Sequence, residues 1–312
     1  MTAIKTENLS KTYGTIRAVD KLNLEIPDNV VFGFLGPNGA GKTTTVRLLT
    51  GFSRPTAGRA WVAGESVDGG NLRLQAKTGL LPDVPAFYNW MTGKEFLSFV
   101  GELHQIPSAE VKIRIGELLE LVDLKQSARR SIGGYSRGMR QRLGIAQALM
   151  NRPKVLFMDE PTSALDPIGR KEMLTLVRNL RETATVFMST HILSDVERVC
   201  DMVGIINKGK LMTVSTVDAL QKKYARSIIE MEFTEDPAAF VETLSKVPWL
   251  AEPVIVPENG NPVIRVRATD MNFASKELPR LVSNSGLTLR RYELTLPDLE
   301  EIFEKILNGG GN

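Results

Sequence analysis

A single cysteine, Cys200, stands among the 312 residues. One thiol excludes an internal disulfide framework and suits a reducing compartment. With Val196, Val199 and Val203 around it, inert packing is its expected role. Histidine is nearly as scarce. His104 and His191 are the only two, and neither has Cys or His neighbours at metal-ligand spacing. A metal site built from side chains alone is therefore not expected. No run of about 18 successive apolar residues occurs, so the chain is not expected to span a bilayer and any membrane role must come through a partner. Met1 is followed by Thr2, Ala3, Ile4 and Lys5, with no apolar stretch of signal-peptide length. An excess of one charge is also missing. The 39 basic and 36 acidic residues leave +3, which gives no electrostatic case for nucleic acid as a partner.

Hydrophobic residues make up 42% of the chain, enough for a sizeable core, and the length predicts two domains, 1–220 and 221–312. From Ile4 to about Leu220, strand-like and helix-like patterns alternate. Val30–Leu35, Val155–Met158 and Thr185–Ser189 are short continuous apolar runs, as strands buried on both faces of a parallel sheet require. Thr44–Leu49 and Gly169–Arg181 have helical periodicity. The stretch Leu103–Leu149 reads as mostly helical, with Glu117–Asp123 and Met139–Leu149 periodic and the Gly-rich patch Ser131–Gly138 between them. It reads as a helical subdomain, at about 90–150, inserted between sheet strands. After about Gln221 the expected order is βαββαβ: Ser227–Phe233, Pro237–Val247, Pro253–Val256, Val263–Ala268, Phe273–Ser283 and Leu287–Leu294. Glu258-Asn259-Gly260 supplies the turn of the central pair. That order is the ferredoxin-like split βαβ pattern. A last helix, Pro297–Leu307, places Leu299, Ile302, Phe303, Ile306 and Leu307 on one face, and Gly309–Gly311 forms a tail.

Gly36-Pro37-Asn38-Gly39-Ala40-Gly41-Lys42-Thr43 fits G-x-x-x-x-G-K-[ST] between a strand and a helix. Glycines let the backbone turn its N–H groups inward to cradle phosphates, and the next helix presents its positive end. Lys42 brings a full charge to the β and γ oxygens, and the Thr43 hydroxyl is a ligand for Mg²⁺. This pattern predicts ATP binding. Lys154–Glu160 is a second element, four apolar residues ending in two acids. Its strand delivers Asp159 to the Mg²⁺ shell and Glu160 to orient and deprotonate the attacking water.

Together with further motifs in a fixed order, these residues resemble the ATP-binding subunits of ABC transporters over about Ile4–Leu220. Tyr13, in Lys11-Thr12-Tyr13-Gly14, resembles the aromatic that stacks on adenine. Gly36–Thr44 is the phosphate loop with Thr44 at its end. Tyr135-Ser136-Arg137-Gly138-Met139 stands at the family's signature position, Ser163-Ala164-Leu165-Asp166 at the loop after the catalytic Glu, and His191 at the switch histidine that reaches the γ-phosphate. The fold implied is α/β: a P-loop NTPase with an ABC-type ATPase core and the inserted helical subdomain, followed by a small α+β, ferredoxin-like domain. The activity implied is ATP hydrolysis coupled to transmembrane transport.

The resemblance implies a head-to-tail dimer, in which Ser136 and Gly138 of one subunit close over the γ-phosphate held by the other. A homodimer or a pairing with a relative both satisfy it. The signature departs from Leu-Ser-Gly-Gly-Gln at Tyr135, Arg137 and Met139 but keeps the phosphate-facing pair. Where many members carry a Mg²⁺-sensing Gln, Leu80-Leu81-Pro82-Asp83 offers Asp83, a metal-shell carboxylate or a turn residue. Both departures resemble ATPases that pair with separate permeases in export of drugs, antibiotics or lipids, and those also carry a C-terminal extension of this size. In that branch the loop Val84–Met91 meets the permease, and Pro85, Phe87, Tyr88, Trp90 and Met91 suit a docking surface or the subdomain's own core. The chain is then expected at the inner face of the cell membrane, held there by the permease. A soluble or regulatory ABC ATPase is the alternative. Ile228–Leu307 carries no catalytic constellation, and a structural or dimer-supporting role is expected there.

Overall fold

Val31–Leu35, Val155–Asp159 and Thr185–Thr190 are buried at every position, which is why their apolar runs show no alternation. The computed structural model describes residues 2–67, 71–163, 165–224, 228–258, 261–295 and 299–307. Two compact units divide the chain, Met1–Val217 and Asp218–Asn312.

The first unit opens with a long antiparallel pair, β1 (Thr2–Tyr13) and β2 (Ile16–Pro27), followed by β3 (Val31–Leu35) and α1 (Lys42–Leu49). β4 (Ala57–Val62), β5 (Glu65–Ser66), α2 (Leu72–Lys77) and β6 (Thr78–Leu81) come next. Three helices then occupy the segment between sheet strands: α3 (Gly93–Leu103), α4 (Ser108–Leu121) and α5 (Arg137–Ala148). The remainder alternates as β7 (Val155–Asp159), α6 (Pro167–Leu180), β8 (Thr185–Thr190), α7 (Leu193–Val199), β9 (Met202–Asn207) and β10 (Lys210–Thr216).

The main sheet runs β10-β9-β3-β8-β7-β6, with every pair parallel except β10 with β9. A second, antiparallel sheet runs β2-β1-β4-β5. Ile4, Leu22 and Val62 of that sheet share one buried cluster with Phe32, Phe157 and Phe187 of the main sheet and with α1. Phe187 is its hub, with ring centres at 5.5 Å from Phe32, 5.3 Å from Phe34 and 5.5 Å from Phe157. On the opposite face α7 approaches β3 so closely that a Cβ at Gly33 would lie 2.9 Å from Cys200 Sγ. Burial pushes the Cys200 thiol up, so this sulfur is inert packing.

Strand–helix alternation thus begins at β3 and not at Ile4. β1 and β2 are half-buried strands with polar outer faces, which do not read as continuous apolar runs. The helices begin at Gly93, within the subdomain expected at about 90–150 and ten residues before the stretch Leu103–Leu149 that reads as helical. Thr92 and Glu95 form a capping box there, with Thr92 Oγ1 accepting from the Glu95 N–H at 3.2 Å and Glu95 Oε2 accepting from the Thr92 N–H at 2.8 Å. The helix expected over Glu117–Asp123 is the end of the longer α4.

In the second unit α8 (Val217–Tyr224), which starts at the junction, precedes β11 (Ile228–Phe233), α9 (Ala238–Leu244), β12 (Leu250–Glu258) and β13 (Asn261–Ala268). α10 (Met271–Asn284), β14 (Leu289–Thr295) and α11 (Leu299–Leu307) complete it. Its antiparallel sheet has the order β12-β13-β11-β14. Ile229, Met231 and Phe233 point from β11 into one core with Phe240, Leu244 and Leu278 of α9 and α10. On the other face Glu230 accepts from Arg265 Nε at 2.6 Å. Leu299 and Ile302 of α11 are buried. Ser227, the turn residues Asn259 and Gly260, Pro297, the tail Gly309–Gly311 and Ala164 lie outside the described residues. No described helix is long and apolar enough to cross a membrane.

Phe187→Ala empties the centre of the aromatic cluster and is expected to cost about 3–5 kcal/mol. The shift in the urea unfolding midpoint of the first unit measures it.

Candidate functional site

Parallel pairing sets four strand ends side by side. Leu35 pairs with Thr190, Asp159 with Ser189 and Leu81 with Met158. Gly36, His191, Glu160 and Asp83 therefore all leave the carboxyl edge of the main sheet, where ligands bind in open α/β sheets.

The loop after β3 is shaped by contacts that only glycine permits. A Cβ at Gly36 would lie 2.4 Å from the Ile206 carbonyl oxygen. Gly41 has φ +111°, and its Cβ would lie 2.3 Å from the Ala18 oxygen. The Ala40 N–H donates to the Pro37 carbonyl at 3.1 Å, and the Gly209 N–H donates to the Ala40 carbonyl at 2.9 Å. Asn38 and Gly39 are exposed at the tip, with Pro37 half-buried beside them. No side chain caps α1, so its first N–H groups are left for an anion. Thr43 is exposed and Thr44 half-buried at this helix start, whereas Thr45 donates to the Gly41 carbonyl at 2.9 Å.

Lys42 is buried at 6% exposure, and its ammonium donates to the Gly36 carbonyl at 2.7 Å and the Pro37 carbonyl at 3.3 Å. Glu160 Oε1 lies 3.3 Å from the same nitrogen, and Glu160 Oε2 lies 2.9 Å from His191 Nδ1. A carboxylate can only accept, so His191 carries a proton on Nδ1. Its other ring nitrogen is then left for a ligand, on a side chain 44% exposed. Glu160 has φ +49° and its N–H donates to the Ser189 carbonyl at 3.0 Å. A non-glycine residue in that region costs about 1–2 kcal/mol, strain of the kind that collects at working sites.

Asp159 is buried and accepts from the Ser189 hydroxyl. Asp83 is exposed, and its Oδ1 shares the one Ser163 hydroxyl proton, at 3.2 Å, with the Glu160 carbonyl at 3.1 Å. One serine thus links the loops after β6 and β7.

Ser136 and Gly138 are not brought to the chain's own phosphate loop. With Leu165 and Asp166 they line a separate cleft that includes none of Gly36–Thr44, Glu160 or His191. Ser136 caps α5, accepting from the Met139 N–H at 3.2 Å, and Asp166 caps α6, accepting from the Gly169 N–H at 3.3 Å. Tyr135 is buried beside Gly93 and donates to the Ser127 carbonyl at 2.8 Å. The signature's unusual first residue is therefore a subdomain core residue, and burial raises the pKa of its phenol.

Tyr13 is 48% exposed at the end of β1, and Lys11 Nζ sits 4.9 Å from its ring centre. Lys11 is anchored by donating to the Arg54 carbonyl at 2.7 Å, a partnership 43 residues long that leaves no local trace in sequence. Ser189 and Ser163 were missed as site residues for a related reason: a serine in a strand or turn has meaning only once its acceptor is known. In the loop Val84–Met91 the two sequence readings divide by residue. Phe87 packs edge-on against Phe96 at 5.1 Å and Pro85 is half-buried, whereas Val84, Tyr88 and Trp90 are exposed.

A glycine-shaped phosphate loop at the carboxyl edge of a parallel sheet, with a lysine, a strand-end Asp–Glu pair and a histidine beside it, defines an ATP-binding P-loop ATPase. Residues 19–163 match the family model described as ABC transporter. The bacitracin transport ATP-binding protein BcrA of Bacillus licheniformis is 37% identical over 99% of this chain and 98% of its own length. The daunorubicin resistance ATP-binding protein DrrA3 of Streptomyces coeruleorubidus is 33% identical over 97% of this chain and 95% of its own. A solved dimeric bacterial ABC transporter cassette, 25% identical, superposes with TM-score 0.63 over 69% of this chain and 98% of its own. The chain belongs to the ATP-binding subunits of ABC transporters.

Gly41→Ala should keep the fold by circular dichroism but raise the nucleotide dissociation constant about tenfold or more, since strain of about 1–3 kcal/mol falls on the loop itself. Titration with a fluorescent ATP analogue reads it.

Proposed function

We propose that this chain is the ATP-driven motor of an exporter. ATP draws two ATPase subunits together head to tail, hydrolysis at Glu160 releases them, and the movement passes through the Asp83–Met91 region to an integral-membrane permease. The observation that carries this reading is Glu160, seated between Lys42 and His191 at the carboxyl edge of the sheet.

In this reading the backbone from Gly36 to Gly41 cradles the phosphates and Lys42 exchanges its carbonyl partners for β and γ oxygens. Tyr13 stacks on adenine. Glu160 takes the proton of the attacking water, and His191 reaches the γ-phosphate through Nε2. The donor set fits Mg²⁺: an exposed Thr43 hydroxyl at the helix start, a buried Asp159 carboxylate and the Asp83 carboxylate are all hard oxygen ligands. Among the described residues no three His, Cys, Asp or Glu side chains form a metal site, so the ion needs nucleotide oxygens as well. When bound, it neutralises charge on the β and γ oxygens.

Separation of the Ser136–Gly138 cleft from the chain's own loop supports a site completed by a second subunit, as does the dimeric form of the solved cassette. The start of α5, with its N–H groups, suits the partner's γ-phosphate, and Asp166 stands beside it. A second copy of this chain is the simplest partner. Exposed Val84, Tyr88 and Trp90 support docking on a permease, which would hold the protein at the inner face of the membrane. Export of an antibiotic-like compound is supported by relatives named for bacitracin transport and daunorubicin resistance, both matched over nearly their whole length.

Glu160→Gln should retain ATP binding, accumulate a nucleotide-bound dimer on size exclusion and lose at least about 100-fold in turnover. Unchanged turnover removes Glu160 as the base. Lys42→Ala should abolish nucleotide binding or hydrolysis, and full activity would overturn the phosphate-loop assignment. Affinity capture from detergent-solubilised membranes should recover a permease; recovery with ribosomes instead would sink the export reading.

A further inference from the structure

Asp195 lies four residues beyond His191, on α7, and is 1% exposed. Nothing in the site described so far uses it. A carboxylate buried this deeply is tolerated only if both oxygens are paired. Both are: Oδ2 accepts from the Thr162 hydroxyl at 2.5 Å and Oδ1 from Arg170 Nε at 2.7 Å. Arg170 Nη2 donates to the Ser194 hydroxyl at 2.8 Å, so Arg170 holds two neighbouring residues of α7.

Asp195 and its two partners come from three working segments. Thr162 is buried two residues after Glu160 and directly precedes Ser163, which holds Asp83. Arg170 belongs to the first turn of α6, and its N–H donates to the carbonyl of Asp166 at 2.8 Å. Asp195 itself follows the turn that carries His191. Among the described residues, backbone pairing holds the loops after β7 and β8 together only as far as the Glu160 N–H, which reaches the Ser189 carbonyl at 3.0 Å. Beyond that ladder the loops are tied by the His191–Glu160 contact and by the Thr162–Asp195 bond.

We propose that Asp195 is a positioning residue for hydrolysis. Its buried charge pins the Glu160 loop and the Asp166 helix start to the His191 turn, and so keeps the His191 ring in register with the Glu160 carboxylate. This rests on reading Glu160 and His191 as the hydrolytic pair. Asn at this position keeps one acceptor but loses the charge opposite Arg170 and turns an amide donor toward Thr162 or Arg170. The loops then drift, and a displacement of the order of 1 Å costs about 100-fold in rate while leaving the phosphate loop untouched.

The test compares kcat, KM and the directly measured dissociation constant of a fluorescent ATP analogue in the full chain, with the active fraction counted by nucleotide binding. Asp195→Asn is expected to lower kcat about 10–100-fold with nucleotide affinity within about twofold of wild type. Thr162→Val, which only exchanges a hydroxyl for a methyl, covers the case in which Asp195→Asn does not fold, and should repeat the kcat loss. Thr162→Ser restores the donor and should recover most of the turnover. In the double variant Asp195→Asn with Thr162→Val, the second change should add little, because one bond is lost once. The proposal is overturned if Asp195→Asn and Thr162→Val turn over as wild type. It is equally overturned if turnover and binding fall together with the active fraction, which marks a purely structural role. Glu160→Gln run alongside separates the two readings. If that variant hydrolyses ATP normally, the hydrolytic pair falls and the positioning role falls with it. If it is inactive while the Asp195 and Thr162 variants are normal, only the positioning role is lost.

Discussion

The unshifted parallel register of β3, β8 and β7 determines the height at which three loops leave the sheet. Leu35 and Thr190 end their strands on one level and Asp159 one residue below, so a backbone turn, a histidine and a glutamate leave the sheet side by side and Lys42 reaches Glu160 from the turn. A slip of one residue in β7 would exchange Asp159 with Glu160 and turn a buried carboxylate outward, since successive strand residues face opposite ways. The aromatic cluster around Phe187 lies across these three strands, so core packing and site alignment are enforced by the same side chains.

Charge inside the site is arranged as a chain of replaceable partners. The buried Lys42 ammonium is satisfied by two carbonyls and by Glu160, and Glu160 in turn holds His191. None of these groups is left unpaired in a low-dielectric setting, where an unpaired charge would be costly. On the proposed assignment, an arriving triphosphate competes for Lys42 and frees one oxygen of Glu160 for water. On that assignment the resting contacts keep both Glu160 oxygens occupied until phosphate is present.

Much of this was legible in the sequence where chemistry demands neighbours along the chain. The phosphate loop is contiguous, and Asp159 with Glu160 follow an apolar run that could only be a buried strand. What was not legible depends on partners far apart. Ser163 meets Asp83 across 80 residues, and Thr162 meets Asp195 across 33. The long strands β1 and β2 escaped for a different reason. Asn8 and Lys21 take positive φ, and the pairing shifts register between Thr6 and Leu9, so the alternation that marks a half-buried strand is broken. The start of α3 does have a local signal, the Thr92-x-x-Glu95 capping box. Tyr135 is the converse case: a departure from the family's signature that reads as a change in the site proves to be a change in packing.

The Lys11 anchor gives α1 a second meaning. This helix begins at Lys42, in the phosphate loop, and its eight residues span about 12 Å. Five residues past its end the Arg54 carbonyl holds Lys11, and Lys11 lies against the Tyr13 ring. On the proposed assignment one helix is therefore tied to both ends of the site, to the phosphates through the loop before it and to the Tyr13 platform through Arg54 and Lys11, so a change in the segment after α1 reaches the adenine end without touching the phosphate loop.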